Sequence, residues 1–217
     1  MKKLITLLPV ILISLGIRAQ GAKFGVFVDP QITWLSAESR DVEGEGIAIG
    51  INGGLLIDNY FQKNYAIHTG ISLGTQGGSL SYNDSISMEV YGERESFPPG
   101  TTVEYRLNYI TVPLGLKLRT NEIGHFSYYA RLGFTNQFNI KAKASTSDNA
   151  LNKDVIKDEI SIYNLSYHFG LGVEYSLTED TSLTFGAVYH NGFLDVTKSK
   201  SSKIYSRIVS FRIGVIF

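Results

Sequence analysis

Phe126-Ser127-Tyr128-Tyr129-Ala130-Arg131-Leu132-Gly133-Phe134-Thr135-Asn136-Gln137-Phe138-Asn139-Ile140-Lys141 decides how this chain folds. Its even positions are Phe126, Tyr128, Ala130, Leu132, Phe134, Asn136, Phe138 and Ile140, a row that is apolar except for Asn136. Its odd positions are Ser127, Tyr129, Arg131, Gly133, Thr135, Gln137, Asn139 and Lys141, a row that is mostly polar or small. A period of two belongs to a β-strand, whose side chains point alternately to opposite faces. The segment therefore reads as one long strand with a greasy face and a polar face.

The same split repeats along the chain. Upstream it appears in 24–35 (Val26, Val28, Ile32, Trp34) and in 46–57 (Ile47, Ile49, Ile51, Leu55). It continues in 65–73, where Ile67 and Ile71 alternate with His68 and Ser72, and in 110–118, where Leu114 and Leu116 alternate with Pro113 and Lys117. Downstream it appears in 163–177 (Phe169 and Leu171 against His168 and Glu174) and in 183–189 (Phe185 against Thr184). The last is 205–217, where Phe211 and Ile213 alternate with Ser210 and Arg212 and only Arg207 interrupts the apolar row. That makes eight strands, rich in Gly, β-branched and aromatic residues. An even number of antiparallel strands can close into an up-and-down barrel with no sheet edges.

Two barrels fit this pattern. A soluble, lipocalin-like carrier would turn its apolar rows inward, whereas a membrane barrel turns them outward. Three features favour the membrane barrel. The non-apolar rows are mostly Gly, Ser, Thr and Asn, which suit a cramped lumen better than a water-facing exterior full of Lys and Glu. The few mid-strand charges, Lys117, Arg131, Arg212 and Glu174, share the polar face, and Glu174 is expected to pair with one of the two arginines. Aromatics collect at the strand ends, with Tyr65, Phe126, Tyr128, Tyr175 and Phe217 at one end and Trp34, Tyr109, Phe138, Tyr163, Tyr189 and Tyr205 toward the other. Such rings prefer the two membrane interfaces.

The connections alternate in length. Short ones are expected near 58–64, 120–125 and 178–180, and long ones near 36–45, 77–102, 142–159 and 195–202. Outer-membrane barrels have short periplasmic turns and longer external loops, which places both termini in the periplasm. The N-terminus agrees. Lys2 and Lys3 precede an apolar run of about 14 residues and then Arg18-Ala19-Gln20, too short for a bilayer-spanning helix of about 20 residues. It reads as a cleaved export signal over residues 1–19, followed by a barrel domain over 20–217.

Composition excludes several other classes. Lys+Arg and Asp+Glu are both 20, so the net charge is zero and no basic footprint for nucleic acid is present. Cysteine is absent, which removes disulfides, thiolate metal sites and an acylated cysteine.

The segment Tyr109-Ile110-Thr111-Val112-Pro113-Leu114-Gly115-Leu116-Lys117 resembles a strand common in small outer-membrane β-barrel proteins of Bacteroidetes, the PorT-like or porin-family group. The terminal Phe211, Ile213, Val215 and Phe217 resemble the C-terminal insertion signal that the barrel assembly machinery reads. Ala19-Gln20 is similar to the signal cleavage sites of that phylum. The resemblance implies an outer-membrane location and an eight-stranded barrel. It implies no single activity; the founding member's association with protein secretion does not follow from one strand motif. Pro113 cannot donate to a ladder, so a bulge or a locally missing hydrogen bond facing the lumen is expected there.

Candidate chemistry is sparse. His68, His168 and His190 fall on lumen faces and His125 in a turn, with no His-Glu-x-x-His spacing. A Ser-His-acid site would draw on His68 or His168 with Ser72, Ser166 and Glu174. Asp84, Glu89, Glu93 and Glu95 form a weak acidic cluster in the longest external loop. Lys198, Lys200 and Lys203 are candidates for anionic groups of lipopolysaccharide. The reading is a non-enzymatic integral outer-membrane barrel without cofactor. Lys117, Arg131, Glu174 and Arg212 fill its lumen, and external loops give it a structural, adhesive or envelope-assembly role. Its expected partners are outer-membrane lipid, lipopolysaccharide and the assembly machinery. The alternatives are a narrow channel, a lipid-modifying barrel enzyme and a periplasmic lipocalin-like carrier.

Overall fold

The computed structural model describes residues 21–90, 93–147, 150–198 and 202–217. The expected export signal, residues 1–19, lies outside the described residues, as does Lys200. The strands are β1 (Ala22–Ala37), β2 (Val42–Gln62), β3 (Tyr65–Tyr82), β4 (Ile86–Val90), β5 (Glu93–Phe97), β6 (Thr101–Arg119), β7 (Phe126–Thr146), β8 (Asn152–Val155), β9 (Tyr163–Ser176), β10 (Ser182–Gly192) and β11 (Ile204–Ile216). Eight of them form an antiparallel ring in the order β1-β2-β3-β6-β7-β9-β10-β11, closed by pairing of β11 with β1. β4 and β5 make a separate hairpin, and β8 adds to the far end of β7.

The apolar rows face outward. Phe134, Phe169 and Leu116 are 54%, 49% and 43% exposed, while Thr135 and Lys117 beside them are buried. A water-soluble barrel with these residues outside would leave a continuous apolar belt in water, so the surrounding medium is hydrocarbon. The apolar row Ile110 to Leu118 of β6 covers about nine residues, which at 3.3 Å each and a 40° tilt is about 23 Å, the height of an outer-membrane belt.

The strands run well past that belt at one end, and there the two faces exchange character. On β6, Leu114, Leu116 and Leu118 point outward and Thr111, Pro113 and Lys117 inward. Beyond Asn108 the same strand turns Glu104 and Arg106 outward and buries Val103, Tyr105, Leu107 and Tyr109. β7 makes the switch with a bulge. Its pairing with β6 slips between Asn108↔Lys141 and Tyr109↔Asn139, so Ile140 is the extra residue. A one-residue slip inverts the faces. Lys141 and Lys143 are thereby turned outward and Ala142 and Ala144 inward.

Of the segments expected to be long loops, 36–45, 77–102 and 142–159 are thus in good part strand, while the described residues of 195–202 are not. β3 continues to Tyr82, β6 begins at Thr101, and β7 continues to Thr146. Between them sits an apolar core built from Leu35, Val42, Leu80, Tyr82, Met88, Phe97, Val103, Tyr105, Leu107, Ile156, Ile160 and Val196. Tyr109, expected in the outer girdle, is buried here at 1% exposure. The phenols of Tyr82 and Tyr105 lie 2.6 Å apart, and burial pushes the Tyr82 hydroxyl up to about 12, so the pair is neutral. Leu80 is fully buried. Leu80→Ala should therefore cost about 2–5 kcal/mol in denaturant titration of the refolded barrel while leaving membrane association unchanged, because this core lies outside the belt.

Pro113 faces the lumen without a bulge. Its register with Thr135 is unbroken, but the β3–β6 pairs skip from Thr69↔Leu114 to Ser72↔Thr111, and the Thr69 hydroxyl donates to the Pro113 carbonyl at 2.9 Å. The ladder is locally interrupted there, and a side chain fills part of the gap.

Candidate functional site: the charged lumen

The lumen inside the belt is filled by side chains. Tyr129 is buried, accepts from Thr184 Oγ1 at 3.1 Å and donates to the Phe185 carbonyl at 3.3 Å. Its ring lies across Gly172 and Gly186, where a Cβ would collide with it. Those two glycines give the ring its space. Arg131 stacks on the same ring at 4.5 Å from its centroid, and the Lys117 ammonium lies at 5.3 Å.

The four charged residues read from sequence all lie in this interior, but Glu174 does not pair with either arginine as expected. Glu174 contacts Lys117 and Arg119, the latter at 3.0 Å, rather than either Arg131 or Arg212. Lys117 also touches Asp58, whose second neighbour is Arg131 at 3.5 Å and whose third is His68 at 2.6 Å. Arg212 is held by Asp29 in a two-point contact of 2.8 and 3.1 Å and stacks over Phe27 at 3.9 Å. The organising carboxylates are therefore Asp58 and Asp29, both almost fully buried. The sequence pattern places Asp58 at the start of the short connection expected near 58–64. It belongs instead to β2 and continues the inward row Leu56, Asp58.

A second tier of polar groups lies nearer the apolar core. The imidazoles of His68, His168 and His190 follow one another at centroid separations of 6.5 and 5.7 Å. His168 Nδ1 meets the Thr135 hydroxyl at 2.8 Å. His168 Nε2, His190 Nδ1, both ends of the Gln76 amide and the Tyr109 hydroxyl have no protein partner. Two cavities of about 30 Å³ each lie among these groups. A cavity needs about 10–15 Å³ per water, so each has room for two or so, and the orphaned atoms supply the polar partners.

The other candidate chemistry does not assemble. The acid on His68 is Asp58, not Glu174, and Ser166 Oγ has no hydrogen-bond partner. Among the described residues no group of three His, Cys, Asp or Glu side chains is placed to hold a metal ion. Glu89 of the acidic cluster uses its backbone N–H to donate to Glu159 Oε1 at 2.8 Å. Lys203 lies 4.0 Å from Glu38, both well exposed, a contact of little energetic weight.

A closed eight-stranded ring, apolar outside and ion-paired inside, is a membrane-spanning β-barrel. The chain belongs to the outer membrane protein beta-barrel domain family, whose sequence profile matches residues 13–198. No curated protein sequence matches it. Among solved structures it is similar to Neisserial surface protein A, at 16% identity over 91% of this chain and 98% of that one, TM-score 0.49. It is similar to Ail, the attachment invasion locus protein of Yersinia pestis, in complex with the heparin analogue sucrose octasulfate, at 14% identity over 91% and 100%, TM-score 0.41. It is also similar to the outer membrane protease OmpT of Escherichia coli, at 9% identity over 92% and 97%, TM-score 0.41. At these identities no activity transfers from any of the three.

Proposed function

We propose that this chain is a non-enzymatic integral barrel of the outer membrane, with both termini in the periplasm and the apolar-cored extension outside. Its role is structural, adhesive or in envelope assembly, exercised through that extension. The observation that carries the reading is the stacking of two different plugs along one axis. An ion-paired layer around Asp58, Lys117, Arg131 and Glu174 fills the belt, and an apolar core around Leu80, Tyr105 and Leu107 fills the lumen above it. Neither layer suits a path for solutes. Glu93, Arg94 and Glu95 are exposed on a hairpin whose Met88, Val90 and Phe97 are buried in that core, and a partner can reach their side chains.

Insertion would use Phe217 as the signal for the barrel assembly machinery, with outer-membrane lipid and lipopolysaccharide as the surroundings. The Tyr109–Lys117 strand supports membership of the PorT-like group of Bacteroidetes.

Three measurements test the proposal. The protein should fractionate with the outer membrane and show heat-modifiable gel mobility; recovery from the soluble periplasm rejects it. Because the chain has no cysteine, Arg94→Cys should be labelled by an impermeant maleimide on intact cells, and absence of labelling reverses the orientation. The purified barrel in planar bilayers should show no steady openings, and regular conductance steps would replace the plugged lumen with a narrow channel.

A further inference from the structure

The outer wall carries a cluster of cations that form no ion pair among the described residues. β6 and β7 pair so that Arg106 stands directly opposite Lys143, and Asn108 opposite Lys141. Their chain neighbours Tyr105, Leu107, Ala142 and Ala144 are buried inside, so Arg106, Lys143 and Lys141 share the outer face. Directly opposed side chains have Cβ atoms about 5 Å apart, and like charges there destabilise a sheet. Among the described residues none of the three forms an ion pair. Glu104 is two positions farther along the same face, opposite Ser145, and one carboxylate leaves the patch with an excess of positive charge. On the other flank β3 offers only Gly77 and Thr75 to this stretch of β6.

Height gives the patch its meaning. The apolar belt ends at Ile110 on β6 and at Phe138 and Ile140 on β7, the residues next below the cations. Tyr163 packs on Phe138 at 5.4 Å and marks the interface. The three cations thus lie where hydrocarbon gives way to headgroups. A phosphate there is an acceptor for the planar fork of a guanidinium and for two ammonium groups, and it turns an opposed cation pair from a cost into a clamp.

We infer that Arg106, Lys143 and Lys141 bind a phosphate group on the headgroup of an outer-leaflet glycolipid. The inference rests on the orientation proposed above, which the labelling of Arg94→Cys tests separately. The binding experiment uses the full barrel, refolded and purified in detergent, with native mass spectrometry to count retained lipid. The probes are bisphosphorylated lipid A, its dephosphorylated form and phosphatidylglycerol. The wild type should retain bisphosphorylated lipid A at least about tenfold better than either other lipid. Arg106→Gln/Lys143→Gln should lose that preference, and Lys23→Gln/Lys63→Gln, at the opposite end of the barrel, should keep it, with heat-modifiable mobility confirming that each variant is folded. Equal retention of phosphorylated and dephosphorylated lipid A overturns the inference. So does unchanged retention by Arg106→Gln/Lys143→Gln, or preference for phosphatidylglycerol.

Discussion

Replacing Asp58 with alanine is expected to lower the unfolding free energy of the refolded barrel by about 3–5 kcal/mol, the cost of stranding buried charge. Asp58 is fully buried and touches Lys117, Arg131 and His68 at once. After Asp58→Ala, Lys117 keeps Glu174 as a partner. Arg131 keeps no carboxylate, and two of its other nitrogens, Nε and Nη1, are already unpartnered. The penalty should therefore fall mainly on Arg131. Asp58→Ala/Arg131→Met should then be less harmful than the sum of the two single changes, because the stranded guanidinium is gone. Urea titration in vesicles reads this through Trp34, the single tryptophan. A loss below about 1 kcal/mol, the scale of a solvated ion pair, would mean that water screens the lumen and that the belt is not plugged.

Much of this barrel is written in residue parity. The row Phe126 to Ile140 needs no structure to be assigned a face, because a strand has only two and the small polar row can occupy only one of them in a membrane. Asp58 shows where such reading stops. Its partner across the lumen is far along the chain, and locally Asp-Asn says turn. Asp29 and Arg212 are a different case. An up-and-down barrel must place its first strand beside its last, so these two lie side by side as soon as closure is assumed, and the inward parity of both was available. The extension beyond the belt was illegible for a physical reason. Its strands obey the opposite sign, apolar inside and polar outside, since water rather than lipid surrounds them. Val103, Tyr105 and Leu107 thus appear to break the pattern that Leu114 and Leu116 set, although the backbone parity never changes on β6. On β7 the parity does change, through the extra residue at Ile140. No alternation rule locates a bulge in advance, and Lys141 was accordingly assigned to the wrong face.

Leu132→Arg should cost about 2–4 kcal/mol, the penalty for a cation near mid-membrane on the lipid face of a barrel. Leu132 is paired with Leu116 on one side and Phe169 on the other, so the guanidinium would be surrounded by hydrocarbon within the wall as well as beyond it. Arg131 is the internal control. It lies at nearly the same height, one residue away along the strand, and the fold requires it because it faces Tyr129 and Asp58. The same side chain is therefore needed on one side of the wall and expelled from the other. Thr135→Ser keeps the hydroxyl that meets His168 and should stay within about 0.5 kcal/mol of wild type. Refolding yield into vesicles, scored by heat-modifiable mobility, separates the cases. If Leu132→Arg refolds as well as Thr135→Ser, water rather than lipid covers the Leu132 row.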